Sequence, residues 1–300
     1  MSEQESSGGF SADWLRLREP LDLVARSQTL ALAFKAALKP RNGSALKLID
    51  LAAGAGANFR ALAPVLEGDQ DWILVDHDPM LLTAQRAEIS GWARRRGWHA
   101  REEDGLLQID VGAARWQVRG QQLDLARDLD RVDLAWCDGL VTTAFLDLVS
   151  AAWLDSLCAL LAKVPRPLLA TLTVDGRRTW QPALAADGLI TQAFLAHQVG
   201  DKGLGESLGG QAASYLAQQL AAQGCGVSTQ ESDWHIGAGH SELLMTMARE
   251  AAAVAAEVDP SNARTASAWL TERSSHADRG VLSLEVGHLD LLALPGPART

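Results

Sequence analysis

The sequence predicts an α/β fold, a doubly wound and mostly parallel sheet in one elaborated domain. Three observations carry this. Short apolar runs bounded by turn residues alternate with stretches whose apolar residues recur every three or four positions, the β-α pattern of a parallel sheet. The 300 residues, 47% hydrophobic and 21% charged, are enough to bury the core such a sheet needs. The stretch "LIDLAAGAGANF", Leu48 to Phe59, passes from an apolar block through an acid into alternating alanine and glycine, as a buried strand ends where a ligand presses on the backbone.

In chain order, Trp14 to Leu38 reads as helical, with "KPRNGS" ending it. "ALKLIDLA" and "DWILVDHD" are short apolar strands separated by the helix-like "ANFRALAPVLEG", and a helix runs from Pro79 to about Arg96. "LLQIDVGAARWQVRGQQLDL" predicts a hairpin leading into a strand, "VDLAWCD" a further strand, "LDLVSAAWLDSLCALLAKV" a helix and "PLLATLTVDG" another strand. A Gly-rich segment, Gly200 to Gly210, precedes the helix "QAASYLAQQLAAQG". A strand near Val227 to Trp234, helices over about 240–257 and 263–275, and the last strand "VLSLEVGHLDLLAL" complete the chain.

Charge and cysteine content exclude several functions. A net charge of -10 and a pI near 5.2 argue against nucleic acid, whose binding draws on Lys and Arg neutralising phosphates. The run Arg94-Arg95-Arg96 is expected at a helix end, where cations complement the dipole. Cys137, Cys158 and Cys225 are an odd number with no metal-ligand spacing, so neither a disulfide framework nor a metal site is expected, and a reducing cytoplasm fits. "MSEQESSGGF" lacks the apolar region of a signal peptide, and no window is apolar for long enough to span a membrane.

The Gly-rich turn points to a ligand. Gly54 and Gly56 leave room for something to approach the backbone, and Asp50 ends the strand with a carboxylate suited to an amine-bearing group. Asp76 ends the second strand twenty residues beyond Gly56, where an acid accepts hydrogen bonds from ribose hydroxyls, so a nucleoside ligand is implied.

On these residues the chain resembles the class I S-adenosylmethionine-dependent methyltransferases. Asp50 with Ala52, Gly54 and Gly56 matches the family's first motif, an acid followed by G-x-G-x-G. Alanine replaces the first glycine, which a negative φ would tolerate. "LVDHDPML" is similar to the second motif and "QQLDL" to the third. The resemblance implies S-adenosyl-L-methionine as cofactor. It makes Asp76 the ribose ligand, sets His77, Asp78 and Met80 around the adenosine, and gives Asp124 to the adenine amino group with Leu125 as a backbone contact. Asn58 and Asp138 join the cofactor-binding set. It further implies a seven-stranded sheet whose last strand, "VGHLDLLAL", is antiparallel, an N-terminal helical lid, and a helical insertion before the last strand. The single domain then divides into an N-terminal helical cap (1–45), a cofactor-binding core (46–175) and substrate-side elements with the closing strands (176–300).

Two rivals stand beside this reading. A nicotinamide-dependent oxidoreductase needs Gly or Ala where the chain has Phe59, and does not ask for Asp50. A binding protein that keeps the pocket without the chemistry is distinguished only by methyl transfer.

Methyl transfer from a sulfonium is an in-line displacement, so a base is needed only where the acceptor must lose a proton. His197, Asp147 and Lys202 are the catalytic candidates, and Arg26, Asp175, Arg177 and Gln198 the substrate-binding ones. Asp147 also reads as a first-turn helix carboxylate and Asp175-Gly176 as a plain turn, while His235 and His288 read as structural. "HQVGDKGLGESLGG" is expected to be a glycine-hinged lid carrying His197, Asp201 and Lys202. "CDGL" stands where many methyltransferases of amino groups carry N-P-P-[FY]. The acceptor expected is therefore a small molecule, methylated on oxygen or nitrogen, with no metal required. Arg16, Arg18 and Arg26 lie on the N-terminal helix, Arg26 being the one placed to meet a carboxylate.

Overall fold

A computed structural model describes residues 12–40, 45–201 and 203–296. The first helical stretch is two helices, α1 (Ala12–Ala25) and α2 (Gln28–Ala37). They part at Ser27, which adopts extended backbone and accepts the Leu30 N–H at 3.1 Å, since serine satisfies a helix start better than a helix interior.

β1 (Leu46–Leu51) runs parallel to β2 (Gln70–Asp76) on one side and to β6 (Gly139–Thr143) on the other. β5 (Ala114–Gln122) pairs parallel with β2, and β7 (Leu168–Gln181) parallel with β6. β10 (Ser283–Leu294) is antiparallel to β7 and to β8 (Gly226–Glu231), so among these seven strands it alone runs against the rest, as the resemblance implies. The seven lie in the order β5-β2-β1-β6-β7-β10-β8.

The described sheet is wider than seven strands. β3 (His99–Glu103) and β4 (Leu106–Val111) extend one edge as an antiparallel meander, and β9 (Trp234–Ile236) continues alongside β10. β3 escapes the sequence because "HAREE" is almost wholly solvent-facing and carries no apolar alternation.

Helices cover both faces. α2, α3 (Ala57–Leu66) and α4 (Pro79–Arg95) pack over a core that includes Phe34, Leu48, Phe59, Trp72 and Trp116. α5 (Ala151–Lys163) and α7 (Ala212–Ala222) pack over Ile49, Leu51, Leu140 and Leu168. Adjacent residues of β1 thus feed opposite cores, which is why its sequence is apolar without alternation.

A third core lies beyond the carboxyl ends of the strands. The end of β7 and the start of β10 form a ribbon that carries α6 (Asp187–Gln198), α8 (Ser241–Val258) and α9 (Ala263–Asp278). Leu21 of α1 joins them through Trp180, Trp234, Leu244 and Trp269. Within this cap Arg273 is fully buried, donating to the Pro182 carbonyl at 2.6 Å and to Asp187.

The fourth parallel strand differs from expectation. Residues 132–138 form turns, with Leu134 N–H donating to the Val132 carbonyl and Trp136 N–H to that of Asp133, and the strand is "GLVTT". Val132, Leu134 and Cys137 are apolar because this loop packs into the core from below, which mimics strand composition. Asp175-Gly176 is likewise no terminating turn. It forms a bulge inside β7, where Gly176 takes a φ of 87° and the pairing with β10 slips between Val286 and His288.

Candidate active site

The turn after β1 is built around Asp76. The Gly54 N–H donates to Asp76 Oδ2 at 2.8 Å and the Asp78 N–H to Oδ1 at 3.0 Å, while Gln85 Nε2 holds the Gly54 carbonyl at 2.7 Å. Gly54 and Gly56 have φ of 53° and 79°, the left-handed region that glycine enters freely. A Cβ on Gly56 would stand 2.9 Å from Ile89 Cδ1. Ala52 also lies there, at a φ of 52°, so the position does need what the family's glycine provides, and the negative φ expected for alanine is corrected.

Beside Asp76, His77 and Met80 are exposed. Asp78 caps α4 by accepting the Met80 N–H at 2.7 Å, and His77 Nδ1 lies 3.5 Å from Asp76 Oδ1. Asp124 sits in the turn after β5, accepting the Ala126 N–H at 3.0 Å. Leu125 is buried beside it, its carbonyl taken by Trp153 Nε1 at 2.7 Å.

Asp50 is fully buried. Asn58 Nδ2 donates to its Oδ1 at 2.9 Å, and its Oδ2 has no hydrogen-bond partner. Burial pushes its pKa up to about 7, against the pull of the Asn58 hydrogen bond and the Arg26 charge. Arg26 enters from the end of α1 and joins α3 to two neighbouring strands, donating to Asn58 Oδ1 at 2.8 Å, Thr171 Oγ1 at 2.7 Å and Thr143 Oγ1 at 3.0 Å. Burial lowers its pKa while Asp22, Asp290 and Asp50 oppose the shift. The same helix lies across the turn, with Leu15 Cδ1 3.2 Å from where a Gly54 Cβ would be and Glu19 paired to Arg60 at 2.6 Å.

Asp138 is not part of this end of the sheet. It precedes β6, and its N–H and Oδ2 exchange hydrogen bonds with the backbone of Lys47 at the start of β1, because the strand begins one residue after it.

Beyond β6 and β7 lies a cavity of about 240 Å³. Its walls bring together four of the sequence candidates, Asp147, Arg177, His197 and Gln198. Asp147 sits in a single 3-10 turn, Leu146–Leu148, and not in the first turn of α5. It is buried, its Oδ1 has no hydrogen-bond partner, and burial pushes its pKa up to about 6, opposed by the backbone amides of Asp147 and Val174 and by Arg18. His197 and Gln198 stand on the last turn of α6, a helix the sequence reading passes over. Asp175 is tied to Arg177, whose guanidinium also makes two hydrogen bonds to Asp233.

Lys202 lies outside the described residues. The segment on either side of it is hooked to the body: Asp201 Oδ1 accepts the Gly203 and Gly205 N–H groups, Ser207 Oγ donates to the Gln198 carbonyl, and the Leu208 N–H to that of Val149.

The cavity also holds residues that sequence reasoning does not single out. Trp14, Phe194 and Trp234 supply aromatic walls, and Arg178 and Glu250 supply charge. The visible signal for Arg178 is the pair Arg177-Arg178 directly after "TVDG", obscured because the strand reads as ending there. His288 lines the cavity too, but burial takes its pKa down to about 4 and its Nδ1 lies 2.9 Å from the Val286 carbonyl, so it is neutral. His235 lies on the surface, 3.4 Å from Glu285. Arg16 pairs with Glu88 on the surface, and Arg18 pairs with Asp22 at 3.1 Å.

Among the described residues no three His, Cys, Asp or Glu side chains gather as a metal site, and no helix is long and apolar enough to cross a membrane. Phe59 is fully buried against Trp72, Trp92 and Trp116, at centroid distances of 5.3 to 5.9 Å, in the place a dinucleotide fingerprint reserves for a small residue.

No protein-family model matches the sequence, and no curated protein does. Among solved structures the chain is similar to the cyclopropane synthase MmaA2 of Mycobacterium tuberculosis, at 11% identity over 96% of this chain and 95% of that one, with a TM-score of 0.48. It is similar to a geranyl diphosphate methyltransferase in complex with GPP and sinefungin, at 11% identity over 88% and 77%, with a TM-score of 0.42. A third is an SAM-dependent methyltransferase from Thiobacillus denitrificans in complex with S-adenosyl-L-homocysteine, at 12% identity over 95% and 99%, with a TM-score of 0.40.

Proposed function

We propose that the chain is an S-adenosylmethionine-dependent methyltransferase whose acceptor is a small molecule held in the cavity beyond β6 and β7. The observation that carries the reading is Asp76. Each of its oxygens accepts one backbone N–H, from Gly54 and Asp78, and a carboxylate has about four acceptor sites, so lone pairs remain for the two hydroxyls of a ribose. The donor set therefore fits a nucleoside, with Asp124 in reach of the base edge by its place after β5.

Bound S-adenosylmethionine would supply a sulfonium-borne methyl group that leaves with the bonding electron pair remaining on sulfur. Asp50 and Arg26 would hold the polar end of the cofactor at the strand ends. The cavity positions the acceptor and excludes water. Asp147 is the base the site supports best, since a buried carboxyl with a pKa near 6 is ionised at neutral pH and still basic enough to take a hydroxyl proton. This favours O-methylation. His197 lines the same cavity, as an acceptor contact. The division into a helical cap to residue 45, a cofactor core to 175 and substrate-side elements beyond follows from the same reading.

Titration calorimetry with S-adenosylmethionine, S-adenosylhomocysteine and NAD tests it. The first two are expected to bind and NAD not. Asp76→Ala should weaken cofactor binding by about 1.5–3 kcal/mol. Full affinity in that variant, or NAD binding in the parent, would overturn the assignment. Transfer of label from methyl-labelled cofactor to a product separates an enzyme from a binding protein.

A further inference from the structure

Three arginines line the cavity, and two of them are neutralised. Arg177 is held by Asp175 and Asp233, and Arg18 by Asp22. Arg178 differs: among the described residues its Nε and Nη2 are buried without a hydrogen-bond partner, and the carboxylate whose charge acts on it is Glu250. Its guanidinium lies 4.2 Å from the centroid of the Phe194 ring, with the Trp180 ring 5.7 Å away. Glu250, on the same wall, makes no hydrogen bond to it. Burying a guanidinium with two donors unfilled is costly, and the charge of Glu250 and stacking on aromatic rings offset only part of that.

The rest of the cavity says what kind of group would fill those two donors. Trp14, Phe194, Trp234 and Met247 make its walls largely aromatic and apolar. At about 240 Å³ it is smaller than the roughly 300–1,000 Å³ that drug-sized ligands fill, so it suits a single ring with its substituents. A guanidinium fork matches the two oxygens of a carboxylate, forming parallel charge-assisted hydrogen bonds.

We infer that the cavity takes a small aromatic carboxylic acid, its ring among Trp14, Phe194 and Trp234 and its carboxylate on Arg178. This rests on the methyl-transfer reading only in calling that acid the acceptor. The anion site stands or falls by itself.

The experiment is titration of the full chain, without cofactor, with benzoate and 4-hydroxybenzoate against benzamide and benzyl alcohol, followed by calorimetry and by quenching of tryptophan fluorescence. The carboxylates should bind about tenfold or more tighter than their neutral counterparts, the loss of a charged hydrogen-bonded pair being at least that large. Arg178→Gln should abolish the preference, Arg178→Lys should restore part of it, and Glu250→Gln, which removes the competing charge, should tighten benzoate binding. Melting curves of each variant separate lost binding from lost folding. Equal affinity for benzoate and benzamide, or unchanged benzoate binding in folded Arg178→Gln, would overturn the inference. Benzoate binding in a protein that fails to bind S-adenosylmethionine would sink the methyltransferase reading and leave the acid site standing. The reverse result would do the opposite.

Discussion

Arg26 donates to Asn58 Oδ1 at 2.8 Å, and Asn58 donates onward to Asp50 Oδ1 at 2.9 Å. The polarity of this chain is forced. A guanidinium only donates and an ionised carboxylate only accepts, so the amide between them has one orientation that satisfies both. The helix end is thereby fastened to the centre of the sheet through side chains alone.

Breaking that link should be costly. Arg26→Met is expected to lower stability by about 2–4 kcal/mol, since it strands buried polar partners. Asp50 already has a raised pKa, so its favourable contribution is complete below the unfolded value near 4 and is lost as pH rises through about 7. Without Arg26 its pKa rises further, and the variant's deficit should be larger at pH 8 than at pH 5. Melting curves at the two values check this, and an equal deficit would disconnect Arg26 from Asp50.

Ala52 is held at a φ of 52° by its place in the turn. An alanine there pays a steric cost of about 1 kcal/mol that glycine avoids. Ala52→Gly is therefore expected to be neutral or stabilising by up to about that amount, with cofactor affinity retained. A clear loss of stability by denaturant titration would mean the left-handed turn is wrong.

Asp147 bears on both rate and stability. Turnover should rise with pH through about 6 and then level, as the carboxyl loses its proton and becomes able to accept one from the acceptor. Asp147→Asn should lower turnover about 10²–10⁴-fold and remove that inflection. The raised pKa also means that the native state loses stability between about pH 4 and 6, so the asparagine variant should be more stable than the parent at pH 8, by about 2–3 kcal/mol, and lose that advantage by pH 4. An active variant with an unchanged profile would exclude Asp147 as the base.

Phe59 fills the space beneath the Gly-rich turn, edge-on to Trp72 and Trp116. Phe59→Ala should cost about 3–5 kcal/mol through the cavity it leaves, while Phe59→Leu keeps most of the volume and costs less. A small effect in the alanine variant, read from urea unfolding, would show that this position tolerates the small residue of a dinucleotide fingerprint after all.

Much of the architecture was legible in the linear text because it depends on local pattern. β1 is buried on both faces and so reads as an unbroken apolar run. Asp50, Gly54, Gly56 and Asp76 stand at fixed distances along one β-α-β unit, whose geometry the chain itself imposes. What the tertiary structure decided are relations between segments far apart. Residues 132–138 read as a strand because a loop that packs into the core has the same composition as one, and only pairing tells them apart. That difference moved Asp138 to the opposite end of the sheet. Arg178 and Trp14 come from elements 164 residues apart in the chain and meet only because the β7–β10 ribbon rises past the sheet and folds a helical cap onto it. The Gly-rich turn after β1 is a short-range object that sequence spacing determines, whereas the cavity beyond β6 and β7 is a long-range one that exists only once the chain has packed.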